Sequence, residues 1–200
     1  MALIKDNALR PDPWVFVADE AELPESDPAI VSFERWQRDR ARLGVRNGPL
    51  GLRLRSDQPP EGIADDLAAF DLIALEFPKF TDGRAYSYAR LLRERYGFEG
   101  ELRAVGNVLR DQLFFMQRCG FDTFEVADDV DIGAWLEAFV EIDVIYQPAD
   151  DDRRPFRTLR TDAAGPTAER RRSCCRGLFT GEPIASLVPW RPTGQDRAPV

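Results

Sequence analysis

Two short polar stretches hold the side chains best suited to chemistry. Residues 76–84 read EFPKFTDGR and supply Glu76, Lys79, Thr81, Asp82 and Arg84; residues 106–112 read GNVLRDQ and supply Asn107, Arg110, Asp111 and Gln112. Lys79, Arg84 and Arg110 beside helix N-termini make an anion site, because unpaired N–H groups and the helix dipole add to their charge. Arginine grips an oxyanion through two parallel bonds, which lysine cannot do. Glu76 and Asp111 are the candidate proton carriers if the chain is catalytic. A plainer alternative is that these residues cap helices, with the cations paired to Asp82 and Asp111 to tie the loops. Spacing alone leaves both readings open.

What is missing narrows the chemistry further. The chain has no histidine, which removes Ser-His-Asp and Cys-His catalysis, the HExxH zinc helix and histidine-ligated haem. Its three cysteines cannot close a four-thiolate zinc or iron–sulfur site within one chain. Cys119 is a candidate redox thiol, but it lies one helical turn from Met116, close to an apolar seam, and reads first as a buried structural thiol. Gly106-Asn107 is not a dinucleotide fingerprint, since the three-glycine spacing is absent, and there is no P-loop. No cofactor site is evident, so electrons for any redox step must come from a partner, a thiol or a non-covalently bound group.

These residues need elements to hold them. Strand-like and helix-like segments alternate through the middle of the chain. Leu50–Arg55 alternates apolar and polar residues. Leu72–Leu75 is continuously apolar, as a strand covered on both faces should be. Asp82 is placed to cap a helix whose Ala85, Tyr88, Ala89, Leu92 and Tyr96 form one stripe ending at Gly97. Leu102–Val105 predicts the next strand, and Asn107 a cap for a helix over 108–118 that stops at Gly120. Phe121–Val126 predicts a third strand, Asp131 a cap for a helix over 132–139, and 144–146 a last strand. Strands separated by helices imply parallel β-α units with right-handed crossovers. The expected fold is α/β with a mainly parallel sheet, either an open three-layer sheet or a partial barrel.

Towards the N-terminus, prolines punctuate residues 1–28. Trp14–Val17 predicts an edge strand, Ala29–Phe33 another strand, and Glu34–Leu43 a charged helix with a Glu34/Arg38 pair. Residues 1–148 are expected to form one α/β domain with its β-α core over 72–140. Residues 149–200 are expected to be a low-order tail. That tail carries Arg170-Arg171-Arg172, Cys174-Cys175 and two apolar runs, Leu178-Phe179 and Ile184–Trp190.

Composition bounds the partners. The formal charge of −8 argues against general nucleic-acid binding, and the apolar share of 44% is that of a globular protein. No apolar run approaches the roughly 20 residues of a membrane span. The first residues lack the zones of a secretion signal, so the cytoplasm is the expected compartment.

The run EFPKFTDGRAYSYARLLRERYGFEGELRAVGNVLRDQLFFMQRCGFDTFEV, with the preceding LGLRLR and the later VIYQP, resembles the bacterial domain-of-unknown-function family 934. The resemblance covers roughly Leu3 to Pro148. Members are described as oxidoreductases involved in sulfite reduction. The resemblance therefore implies a role in assimilatory sulfate and sulfite reduction, beside the sulfite reductase hemoprotein. The expected role is an accessory one: docking on the reductase, or delivering electrons or sulfite to it. Lys79, Arg84 and Arg110 would then hold an oxyanion or an acidic surface. The alternatives are an enzyme acting on a phosphorylated or sulfated small molecule at the strand ends, with Glu76 or Asp111 as proton carrier, and a purely structural subunit.

Overall fold

In chain order the strands are β1 (Ala2–Lys5), β2 (Ala8–Arg10), β3 (Val15–Phe16), β4 (Ala29–Ser32), β5 (Leu50–Leu54), β6 (Leu72–Phe77), β7 (Glu101–Gly106) and β8 (Thr123–Val126). The helices are α1 (Phe33–Leu43), α2 (Arg84–Arg90), α3 (Leu113–Arg118) and α4 (Ile132–Glu137), with a 3-10 helix over Pro60–Ala69. The structure is a computed structural model that describes residues 2–128, 130–149, 153, 155 and 156. The arginine run, Cys174-Cys175 and both apolar runs of the expected tail lie outside the described residues.

All eight strands join one sheet in the order β2-β1-β8-β7-β6-β5-β4-β3. From β3 to β8 the strands are parallel and each lies beside its successor. An order that never reverses has a simple consequence. Every right-handed crossover falls on the same side, so the helices gather on one face. The packing agrees. Trp36 and Leu43 of α1, Ile63 of the 3-10 helix, Ala85 and Ala89 of α2, and Leu113 and Met116 of α3 share one core with Leu52, Ile73, Leu75, Leu102 and Phe124. Ile30, Leu72, Ala74 and Val105 point to the other face, where Trp14 covers them. Of the two expected architectures, the sheet is therefore the partial barrel.

Chain connectivity forces the curl. β2 and β3 are the opposite edges of the sheet, yet only residues 11–14 join them. Eight strands laid flat would separate the edges by roughly 34 Å. A connector of this length spans about 18 Å at most. The sheet must bend until its edges approach, and residues 11–14 cross its helix-free face. Trp14 packs there, and Asp12 reaches the buried guanidinium of Arg103.

The ends of the ladder are closed by carboxylates. Asp71, just before β6, accepts from Leu50 N at 3.0 Å, and Asp122, just before β8, accepts from Leu102 N at 2.8 Å. The first serves the opening N–H of β5 and the other the second N–H of β7, whose first N–H, that of Glu101, bonds the Asp71 carbonyl at 2.9 Å. Burial raises the pKa of Asp122, against the lowering effect of its bonds to Leu102 N and Arg93.

Several local expectations are corrected. The hairpin β1–β2, antiparallel and lying against β8, was not foreseen; its turn is Asp6-Asn7, with φ of 52° and 54°. Those values are a type I′ turn, which Asn and Asp tolerate. Asn107 caps no helix: the chain passes through an extended Leu109 and a 3-10 turn at Arg110–Gln112 before α3 starts. The cap position of α2 is Gly83 rather than Asp82, and α2 runs on into a wider π turn over Leu91–Arg95. Residues 144–146 form no strand, with Val144 and Tyr146 exposed and Ile145 buried. Glu34 pairs with Arg55, and Arg38 with Glu20 and Asp39. Among the described residues, no helix is long and apolar enough to cross a membrane.

Candidate functional site

An unreversed parallel sheet has no crevice of the doubly wound kind. In curled β-α sheets the βα loops at the carboxyl ends of the strands build the site. A cleft of about 500 Å³ lies there, at the ends of β3, β4, β5 and β6. Strand parity puts its strand residues on the helix-free face. Ser32 pairs with Arg53, and Glu76 lies two residues beyond Arg53's other partner, Ala74. Arg53 and Glu76 are thus diagonal neighbours, with a guanidinium–carboxylate distance of 3.2 Å. The Phe16 ring lies 5.2 Å from the Arg53 guanidinium carbon, within cation–π range.

The rim repeats the same chemistry. Arg55 meets Glu34, in the first turn of α1, at 2.8 Å. Gln58 donates to the same carboxylate at 2.9 Å and accepts from Arg55 N at 2.9 Å. Ser32 caps α1 by accepting from Arg35 N, and donates its hydroxyl to Asp19 at 2.5 Å. Asp19 thereby sets a negative charge at the positive end of α1. Arg35, 5% exposed, donates to the carbonyls of Ala18 and Ala21 and so fixes the segment that carries Asp19.

The sequence-predicted residues are spread along this edge. Glu76 belongs to the strand itself and lines the cleft, its carboxylate turned toward β5. Asp111 is exposed in the loop after β7, on the other side of β6. Arg84 lies over Asp82, with bonds of 3.0 Å from Nε and 2.7 Å from Nη2, and reaches Ser56 Oγ at 3.0 Å, toward β5. The hydrogen bond from Arg84 holds the Asp82 carboxyl well below the usual carboxylate range. Arg110 turns the opposite way, donating to Ala134 O at 2.7 Å and Glu141 at 3.1 Å around α4. Lys79, Thr81 and Asn107 are exposed. Gln112 donates to Phe80 O at 3.5 Å, linking the two loops. Cys119 is 3% exposed, at the C-terminal end of α3.

Sequence reasoning missed Arg53, Arg55, Glu34 and Asp19 as members of a cleft. Their signal was present in the polar residues at and just beyond the strand ends, but assigning them needs the strand order. A second feature also escaped it. Phe80 is 61% exposed and Phe115 53% exposed. Gln112 donates to the backbone carbonyl of the first, while the second packs at a tilt of 51° against Tyr86, with ring centroids 5.0 Å apart. Burial, the largest cause, pushes the Tyr86 phenol up to about 12.

A larger hollow, of about 640 Å³, lies at the opposite end of the strands beside Asp6, Arg93 and Asp122. There Arg93 donates to the carbonyls of Phe98, Gly100 and Gly120 and pairs with Asp122 at 2.6 Å. Those bonds fasten loops, the usual work of this end of such sheets.

The fold and the cleft define a half-barrel α/β protein with a charged mouth. The chain belongs to the family described as "Bacterial protein of unknown function (DUF934)", whose model matches residues 51–157. No curated protein and no solved structure matches it.

Proposed function

We propose that this protein is an accessory factor of assimilatory sulfite reduction that works by docking on sulfite reductase. The resemblance of residues 76–126 supplies the pathway, and the exposed Phe80 and Phe115 support docking over catalysis. Large aromatic rings standing in water beside a cation, here Lys79, are the usual anchors of a protein interface. The two candidate proton carriers do not form an acid/base pair, since Glu76 is held by Arg53 and Asp111 lies exposed in the loop after β7, on the other side of β6.

The test is growth of a deletion strain on sulfate, sulfite or cysteine as sole sulfur source. Rescue by cysteine alone is expected, with complementation by the wild-type gene and none by a Phe80→Asp/Phe115→Asp variant that still folds. Unimpaired growth on all three sources would remove the pathway assignment. Full complementation by the variant would remove the docking surface.

A further inference from the structure

From the cleft at the ends of β3–β6 we infer a binding site for a zwitterionic small molecule of the α-amino acid class. The inference is independent of the sulfite-reduction reading. It rests on how charge is arranged in the cleft. The lining carries both signs, Arg53 and Arg55 with Asp19, Glu34 and Glu76, around one opening. Two of these contacts are cross-element ion pairs, Arg53–Glu76 at 3.2 Å and Arg55–Glu34 at 2.8 Å, and both are partly open to water.

Such pairs hold their partners weakly, because water screens them and long side chains lose freedom in forming them. A ligand group can therefore replace one member of a pair at small cost. An anion alone would take an arginine and leave its carboxylate facing the ligand. A cation alone would strand the arginines in the same way. A molecule carrying a carboxylate and an ammonium a few ångströms apart satisfies both members of an opened pair, each by a charge-assisted bond. Three carboxylates against two guanidiniums also disfavour multiply charged anions such as phosphate esters.

Size and surface fit the same class. The volume of about 500 Å³ is that of a small-molecule site. Phe16, 49% exposed, supplies an apolar wall beside the charged groups, suited to an amino acid side chain. The sequence expectation of a simple oxyanion at this edge concerned Lys79, Arg84 and Arg110, none of which lines the cleft.

Titration calorimetry on the full chain tests this, using the protein L-α-amino acids one at a time. Sulfate, phosphate and putrescine serve as ligands of a single sign. At least one amino acid is expected to bind, one per chain, with no comparable binding of the single-sign ligands. Glu76→Gln and Arg53→Gln should each weaken that binding by roughly tenfold or more, while Arg95→Gln, outside the cleft, leaves it unchanged. Glu34→Gln, on the more exposed pair, replaces Arg53→Gln if the latter fails to fold. Binding of no amino acid, equal binding of a single-sign ligand, or undiminished binding by Glu76→Gln would each overturn the assignment.

Discussion

Asp12 grips Arg103 with both carboxylate oxygens, at 2.7 and 3.1 Å, across 91 residues of chain. Arg103 is 1% exposed on the helix-free face of β7, and its other partner is Glu101 at 3.1 Å. Glu101 in turn accepts from Lys5 at 2.6 Å and from Thr123 at 2.9 Å. One network therefore joins β1, β7, β8 and the connector that bends the sheet.

Asp12→Asn keeps the shape of that clasp and removes its charge. A buried arginine losing half its compensation should cost about 1–3 kcal/mol. The loss stays below that for a wholly enclosed pair because Asp12 is 31% exposed and Glu101 remains. Urea unfolding measures it, and a lower midpoint with an unchanged slope is the expected result. No shift in midpoint would mean the connector is held by Trp14 alone.

Acid should probe the same network. Burial, the largest influence on Glu101, pushes its pKa up, but the bonds from Lys5 and Thr123 and the charge of Arg103 outweigh it, and the net shift is downward from 4.5. A lowered folded pKa contributes stability above the ordinary value that is lost as pH falls through the lowered one. Glu101→Gln should therefore show a shallower decline of Tm on the acid side than wild type. Asp122, shifted upward, contributes in the opposite sense, greatest at low pH and lost as pH rises through its raised value. Asp122→Asn should steepen the decline that Glu101→Gln flattens. Parallel acid limbs in all three proteins would refute both assignments.

Two glycines with positive φ should respond differently to alanine. Gly106 has φ of 91°, and an added Cβ would lie 2.6 Å from Phe77 O, the carbonyl that accepts from Asn107 N. Gly97 has φ of 64° and open space around it. Gly97→Ala should cost about 1 kcal/mol, the strain of the left-handed backbone alone. Gly106→Ala should cost at least about 2 kcal/mol, because the clash is with backbone that cannot swing away. Thermal unfolding of the two variants ranks them, and equal costs would contradict the contact.

Phe80→Asp should separate binding from stability. An exposed side chain away from caps and buried networks changes stability by no more than about 0.5 kcal/mol. On the proposed docking role, capture of sulfite reductase by the tagged protein falls, and undiminished capture would remove Phe80 from the docking surface. Phe115→Asp adds a stability cost through its contact with Tyr86, so Phe80 is the cleaner probe.

The helix-and-strand alternation over residues 50–126 was legible because burial writes itself into spacing. Leu50, Leu52 and Leu54 face one side, and Ala85, Ala89 and Leu92 are all buried at helical intervals. The N-terminal hairpin was hidden by its brevity: strands of four and three residues give too little alternation to recognise. The false strand at 144–146 had the right residue types, but no sheet edge receives it, since β1 already occupies the far side of β8.

The candidate residues divide along the same line. Glu76 was found from sequence because it follows an apolar run, and it does line the cleft. Arg53 was passed over because it sits inside an alternating strand, where a polar residue usually marks solvent.

Local chemistry alone determined that the chain is α/β, that its strands from the middle onward run parallel, that histidine chemistry is absent, and which loops carry charge. Periodicity, caps and composition act over a few residues and are readable one segment at a time. Tertiary structure alone decided the unreversed strand order, the curl imposed by four connecting residues, and the pairing of Asp12 with Arg103. It also decided which charges meet. Arg84 and Arg110, expected together in one anion site, turn apart, while Phe16, Arg53 and Glu76 converge from three strands. Those outcomes depend on which strands become neighbours, and no local pattern encodes that.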